Sequence, residues 1–257
     1  MKQHINRLMG TVRAGLPSAR FVLRTWISMR YLALAADYDG TLASGGVVAP
    51  RVVHALERLK ASGRKLLLVT GREMDELVEI FPRLDLFDRV VAENGAVLYR
   101  PQDGSETDLA ARPPEEFLDE LRRRNVSPLT MGRVIISSSA DEAPRVADAI
   151  RRSGLDLEII FNKNSVMILP RGADKATGLR AALDELKLTL DELVAVGDGE
   201  NDIPMIQIAG CGVAVAGALE LVKRAADIVL SADAGEGVME LVDLILRERV
   251  ITLAETS

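Results

Sequence analysis

The stretch Ala33-Leu34-Ala35-Ala36-Asp37-Tyr38-Asp39-Gly40-Thr41 decides the fold. Its apolar run has no polar alternation, so it reads as a strand buried on both faces, as in a parallel sheet. The run ends abruptly in two carboxylates, a glycine and a threonine. Parallel α/β sheets place their chemistry just beyond the carboxyl ends of the strands, which is where Asp37 and Asp39 fall. At the two-residue period of a strand, both point to one side. Carboxylates so close repel unless a cation or a shared proton relieves them. A hard, oxygen-seeking cation such as Mg2+ does so most simply. The plain alternative for this short motif alone is an ordinary strand followed by an Asp-Gly turn.

Working outward, Thr41 to Pro50 is a Gly-rich loop. Pro50 opens a helix to about Ala61, with Val53, Leu56 and Leu59 at helical spacing, and Ser62-Gly63 stops it. Residues 65–69 form a second buried strand, ending in Thr70-Gly71-Arg72 before a helix that starts near Glu73. A hydroxyl, free backbone N–H groups and a positive helix end converge there, which suits an anion. Arg72 reads equally as a surface residue or a substrate contact. A third strand, 89–92, closes in Glu93-Asn94-Gly95, a turn sequence. Strand and helix alternate throughout, which implies a parallel sheet with right-handed crossovers.

The pattern then breaks. Tyr99 to Pro114 is polar and contains proline, as a hinge or linker does. Helices are predicted over 114–124 and 142–153, and strands over 133–137, 157–161 and 166–169, the last two joined by an Asn162-Lys163-Asn164 turn. This reads as a small α+β insert. From Asp174 the βα pattern resumes. Lys175 opens a helix to about Leu186, and a buried strand, 193–196, ends in Gly197-Asp198-Gly199-Glu200-Asn201-Asp202. Pro204 to about Gly210 is helical, strands follow at 212–215 and 227–230 around a helix at 219–226, and a closing helix spans 238–246. The expected organisation is a basic N-terminal extension over 1–30, a core over 31–95 and 171–257, and a cap over 96–170.

Composition narrows the function. The chain has 257 residues, 48% hydrophobic and 27% charged, enough for one large domain with an insert. A net charge of -6 argues against a nucleic-acid partner. Cys211 is the single cysteine, which excludes a disulfide framework and a thiolate cluster. His4 and His54 are the only histidines, so a zinc site or a Ser-His-Asp triad is poorly supplied. His54 is expected on the solvent side of its helix. No apolar run reaches the length of a membrane span. Residues 1–30 carry Lys2, Arg7, Arg13, Arg20, Arg24 and Arg30 and no acid. They read as a dispensable extension, with a basic amphipathic surface helix or a transit-like leader as alternatives.

Asp37 with Asp39, Thr70, Lys175, and Asp198 with Asn201 and Asp202 all fall at strand or helix ends of one sheet. They supply carboxylates for a metal, a hydroxyl, an ammonium and a nucleophile, the set that phosphoryl transfer needs. In this order the four motifs resemble the haloacid dehalogenase superfamily of phosphatases. The resemblance covers about residues 31–248 and implies a Rossmann-like α/β parallel-sheet core. The insert between the second and third motifs is similar to a C2-type cap. Its short length resembles the C2B caps of the Cof-like, sucrose-phosphatase-like and archaeal phosphoglycolate-phosphatase-like branch. By the resemblance, Asp37 is the nucleophile that forms an aspartyl-phosphate, and Asp39 is the general acid and then base. An Asp at that second position is similar to the phosphatase members, where ATPase-like members hold a Thr. The resemblance also places Mg2+ on the Asp37 carboxylate, the Asp39 backbone carbonyl and Asp198, with Asp202 as a ligand or a partner of the ligands. It assigns the phosphoryl group to Thr70, the backbone N–H groups of Gly71 and Tyr38, Lys175 and Asn201. Asn94 resembles the Asn of a related Glu-Asn-Gly turn that lines the site, and reads equally as a turn former. Lys175 sits at a helix start, against the usual dipole preference, which favours a functional reading. Asp202 reads equally as an acid that complements the dipole at its helix start.

These readings converge on a Mg2+-dependent phosphomonoesterase of a small metabolite, a sugar phosphate or phosphoglycolate, in the cytoplasm. Arg133, Lys163 and Asn164 are the polar candidates in the cap for substrate contact. The opening motif also resembles trehalose-phosphate phosphatases, but Glu200-Asn201-Asp202 is closer to the Cof and sucrose-phosphatase pattern. Phosphosugar mutase activity is a lesser alternative. A non-catalytic phospho-accepting module is another, and Asp39, placed to hydrolyse an acyl phosphate, argues against it. The oligomeric state stays open.

Overall fold

Strand β1, Ala33–Ala36, lies at the centre of an eight-stranded sheet and is buried along its whole length. The computed structural model describes residues 31–246. The basic N-terminal stretch, and with it the reading of an extension, lies outside the described residues. Parallel partners flank β1 on both sides: β2 (Lys65–Val69) and β10 (Leu193–Gly197). From β2 the sheet continues through β3 (Arg89–Ala92), and from β10 through β11 (Cys211–Ala214) and β12 (Ile228–Val229). The chain therefore winds outward in one direction from β1 and later returns to wind outward in the other. The strand order reverses between β1 and β10, the position where open α/β sheets form their crevice.

Local chemistry explains the elements that frame this crevice. Helix α1, Pro50–Ala61, begins with proline where its missing N–H costs nothing. It buries Val52, Ala55, Leu56 and Leu59 and packs beside the closing helix α8, Ala234–Leu246. Leu66, Leu67 and Leu68 of β2 are buried in succession, each worth about 1.5–3 kcal/mol of apolar transfer. Helix α2 (Met74–Ile80) follows β2. Helix α5, Lys175–Leu186, starts with a capping box in which the Asp174 side chain accepts from the Thr177 N–H and the Thr177 hydroxyl takes the Asp174 N–H. Helices α6 (Ile203–Ile208) and α7 (Glu220–Ala225) are short connectors.

The insert departs from the predicted boundaries. Strands β4 (Val97–Arg100) and β5 (Ser105–Asp108) pair antiparallel onto β3 and extend the large sheet. Residues 96–108 thus belong to the core sheet, not to the cap. The edge strand Ser-Glu-Thr-Asp is half-buried or exposed and carries no apolar alternation, so it reads as a polar linker. The four-stranded sheet has the order β6-β7-β9-β8, from Leu129–Met131, Ile136–Ser139, Ser165–Pro170 and Leu157–Asn162. Helices α3 (Glu115–Arg123) and α4 (Ala143–Ser153) accompany it. β6 was not predicted. The strand expected over 133–137 begins only at Ile136, because the N–H groups of Arg133, Val134 and Ile135 turn onto the Glu93 carboxylate.

Strand period places this sheet between two cores. Ile168 of β9 packs with Phe117, Leu121, Ile136 and Val146 in the cap's own cluster. Its neighbours Met167 and Leu169 point the other way and join the main core. Glu93, two per cent exposed and on the core side, ties the same face through its three N–H contacts at 2.7–2.9 Å.

Gly178 lets α5 approach the sheet. A Cβ there would fall 2.5 Å from Val91 Cγ1 and 2.7 Å from the Gly95 Cα. Helix propensity alone would make Gly178→Ala stabilising by about 1 kcal/mol. The clash involves backbone and is expected to override that gain at about 1–3 kcal/mol. A lowered thermal unfolding midpoint is the expected outcome; a raised one would show that α5 does not need this close approach.

Candidate active site

The carboxyl ends of β1 and β10 bring Asp37 and Asp198 to one crevice, and the turn after β10 brings Asp202. All three are buried, and one carboxylate oxygen of each lies within 4.8 Å of the others. Lys175, at the first turn of α5, enters between them. Its Nζ lies 2.6 Å from Asp37 Oδ1 and 2.5 Å from Asp202 Oδ1, with the side chain one per cent exposed. Asp202 Oδ2 accepts from the N–H groups of Asp198 at 2.8 Å and Gly199 at 2.9 Å. Asp202 thus shapes the loop that carries Asp198.

Burial and charge set the ionisation here. Burial, reinforced by the Asp202 charge and opposed by Lys175, pushes Asp37 up from 3.8 to about 8. Burial works against the Lys175 ammonium, but the Asp202 and Asp37 carboxylates more than offset it, so its pKa is raised and it stays charged. Burial also raises Asp198, although Lys163 pulls the other way. A dication would relieve all three carboxylates, and three buried carboxylates with no softer donor suit a hard cation such as Mg2+.

Other predicted residues gather around this triad. Thr70, at the end of β2, is buried and its Oγ1 accepts from the Arg72 N–H at 3.1 Å. Asn94 takes a left-handed turn (φ 55°), and its Oδ1 accepts from Asn201 Nδ2 at 2.9 Å. It is therefore a turn former and a neighbour of the site at once, and its Nδ2 is buried without a partner. The Gly71 backbone lies beneath Met167 of the cap: a Cβ there would be 3.3 Å from the sulfur. The Tyr38 ring is buried, and its hydroxyl donates to the Gly46 carbonyl at 3.1 Å.

Two contacts were not legible in the local sequence. Arg72 grips Asp39 in bidentate fashion, Nε to Oδ2 at 2.6 Å and Nη2 to Oδ1 at 2.8 Å, and lies 5.5 Å from the Tyr38 ring centre. Both Asp39 carboxylate oxygens are thus engaged by Arg72, and Asp39 is not part of the Asp37, Asp198 and Asp202 cluster. Lys163, from the β8–β9 turn of the cap, reaches Asp198 Oδ2 at 2.8 Å. Arg133 is not brought to the site. Its guanidinium pairs with Glu106 and Asp108 on the edge strand β5. Asn164 lies beside Lys163, and its carbonyl accepts from the Ala140 N–H. His54 is exposed beside Glu57, as expected.

Comparison with known proteins places the chain. The family model for haloacid dehalogenase-like hydrolase matches residues 34–153 and 130–242. The chain belongs to that family. It is 31% identical over 228 residues to a phosphoglycolate phosphatase of Methanopyrus kandleri, covering 82% of this chain and 96% of that one. It is 32% identical over 210 residues to a phosphoglycolate phosphatase of Halorubrum lacusprofundi, covering 77% and 90%. A haloacid dehalogenase-like hydrolase from Bacteroides thetaiotaomicron shares the fold, with a TM-score of 0.72, 24% identity and coverage of 84% of this chain and 100% of that one. A subclass IIB sugar phosphatase of the superfamily superposes with a TM-score of 0.68 at 23% identity, covering 82% and 97%. These last two likenesses concern the fold.

The raised pKa of Asp37 has a sign that can be checked. From about pH 4 to about pH 8 the folded, metal-free chain holds a proton on Asp37 that the unfolded chain has released. Stability therefore falls as pH rises through that window. In chelator, the thermal midpoint of the wild type is expected to fall faster between these limits than that of Asp37→Asn. Parallel curves for the two proteins would contradict the assignment.

Proposed function

We propose that the protein is a Mg2+-dependent phosphomonoesterase that works through an acyl phosphate on Asp37. That it hydrolyses phosphoric monoesters rests on the family and on the curated relatives, two of which are phosphoglycolate phosphatases. The observation that carries the finer reading is the placement of Asp37: end of β1, one oxygen on Lys175, the Asp198 and Asp202 carboxylates alongside.

Asp37, Asp198 and the Asp39 backbone carbonyl would hold the metal, with Asp202 as a ligand or as the partner that fixes Asp198. Mg2+ there would neutralise developing phosphoryl charge. The Asp37 oxygen not held by Lys175 attacks phosphorus, and the P–O bond to the leaving alcohol breaks. Asp39 gives that oxygen its proton. Asp39 then takes a proton from water as the water oxygen attacks the acyl phosphate, freeing Asp37 and inorganic phosphate. Lys175, Thr70, the backbone N–H groups of Tyr38 and Gly71, and Asn201 orient the phosphoryl oxygens. Asn94, bonded to Asn201, sets the position of its amide. Arg72 occupies both Asp39 oxygens in this structure, so its grip has to loosen when Asp39 moves a proton. Closure of the cap shields the site from bulk water while the acyl phosphate forms. The substrate is a small phosphomonoester of the phosphoglycolate or sugar-phosphate type, and the site of action is the cytoplasm. Among the described residues, no helix is long and apolar enough to cross a membrane.

Phosphate release from p-nitrophenyl phosphate and a panel of sugar and short-chain phosphates tests this. Release is expected with Mg2+, to vanish in chelator and to drop roughly a thousandfold or more in Asp37→Asn. Undiminished release in the variant would remove Asp37 from the chemistry.

A further inference from the structure

We infer that Lys163 reads a second anionic group on the substrate, so the site favours a phosphomonoester with a carboxylate near its phosphoryl group. The inference deepens the phosphatase reading and, for turnover, rests on it.

Lys163 sits at the tip of the β8–β9 hairpin with φ at 53°, a conformation that a lysine adopts rarely. This conformation sends its side chain out of the cap and into the crevice, where the ammonium meets Asp198 Oδ2 at 2.8 Å. The tip is held there by other contacts. The Lys163 N–H donates to Glu200 Oε2 at 3.2 Å, and Met167, on the next strand, covers Gly71. The base of the side chain therefore stays over the site wherever its head points.

The cations of the site differ in how firmly they are committed. Lys175 is buried between Asp37 and Asp202, and Arg72 pairs with Asp39 and keeps Glu76 as a second partner when the Asp39 grip loosens. Lys163 is 46% exposed, and its carboxylate partner belongs to the triad suited to a metal. A dication on that triad satisfies Asp198 and repels the ammonium. Lys163 is then a free charge on a long, flexible stem beside Asp198 and Gly40. A substrate anion beside the phosphoryl group would meet it there. Arg133 cannot serve, since it is paired with Glu106 and Asp108.

The test compares 2-phosphoglycolate with ethyl phosphate, which has the same carbon count and no carboxylate. kcat/KM is measured with Mg2+ for wild type, Lys163→Met and Lys163→Arg. Lys163→Met is expected to lose roughly 10- to 100-fold on 2-phosphoglycolate, the loss of one charge-assisted contact. It is expected to change ethyl phosphate less than about threefold, and Lys163→Arg is expected to recover most of the loss. Equal losses on both esters, or no loss on either, would overturn the inference. A second arm measures equilibrium binding of both esters, with Mg2+, to Asp37→Asn with and without Lys163→Met. A carboxylate-dependent contribution of Lys163 to binding supports the inference even if neither ester is hydrolysed, an outcome that would count against the phosphatase reading alone. Binding that ignores Lys163 overturns the inference whether or not turnover occurs.

Discussion

One buried ammonium makes the rest of the site possible. Asp37, Asp198 and Asp202 crowd the mouth of two central strands, β1 and β10, that are buried along their whole length, and uncompensated carboxylates there would cost several kcal/mol each. Lys175 meets two of them at once. It can do so because α5 begins at that point, fixed by the Asp174–Thr177 capping box. The helix can begin there because the turn before β4 has no side chain in its way. At Gly95, φ is +107° and a Cβ would fall 1.9 Å from the Asp174 carbonyl oxygen. A lysine at a helix start opposes the macrodipole, worth about 0.3–1 kcal/mol. The paired carboxylates outweigh that, so a local rule yields to the site.

The second constraint is the seam between core and cap. β9 buries alternate residues in two different cores, and Glu93 holds three successive N–H groups of the cap loop. Glu93 immediately precedes Asn94, which touches Asn201. Cap placement and the residues of the candidate site therefore share one turn of chain. The cap is docked by apolar packing and a buried carboxylate at its base, and by a half-exposed lysine at its tip. Such an arrangement lets the Lys163 head exchange partners while the hairpin backbone and the cap base hold.

The parts of this design that are local in sequence could be read from it. Buried parallel strands announce themselves as short apolar runs, and the residues just after them, Asp37, Thr70 and Asp198, fall where α/β sheets keep their chemistry. Asn94 was readable as a turn, and its contact with Asn201 was not. The β4–β5 hairpin escaped because an exposed edge strand needs no apolar face. β6 is only three residues long and follows a proline. The pairings of Arg72 with Asp39 and of Lys163 with Asp198 join residues more than thirty positions apart, and no periodicity encodes which cation meets which carboxylate. Without a partner legible in the polar stretch before Pro114, the guanidinium of Arg133 reads as a substrate contact. Once β5 is an edge strand, its Glu106 and Asp108 claim that charge.

The central claim is that Asp37 carries the phosphoryl group covalently. Acid quenching during turnover, followed by borohydride reduction and peptide mass spectrometry, reads this directly, since an acyl phosphate is reduced and a free carboxylate is not. The account predicts reduction of Asp37 to homoserine in substrate-treated wild type, and none at Asp39, Asp198 or Asp202. Turnover with no modification at Asp37, or modification at one of the other carboxylates, would contradict it.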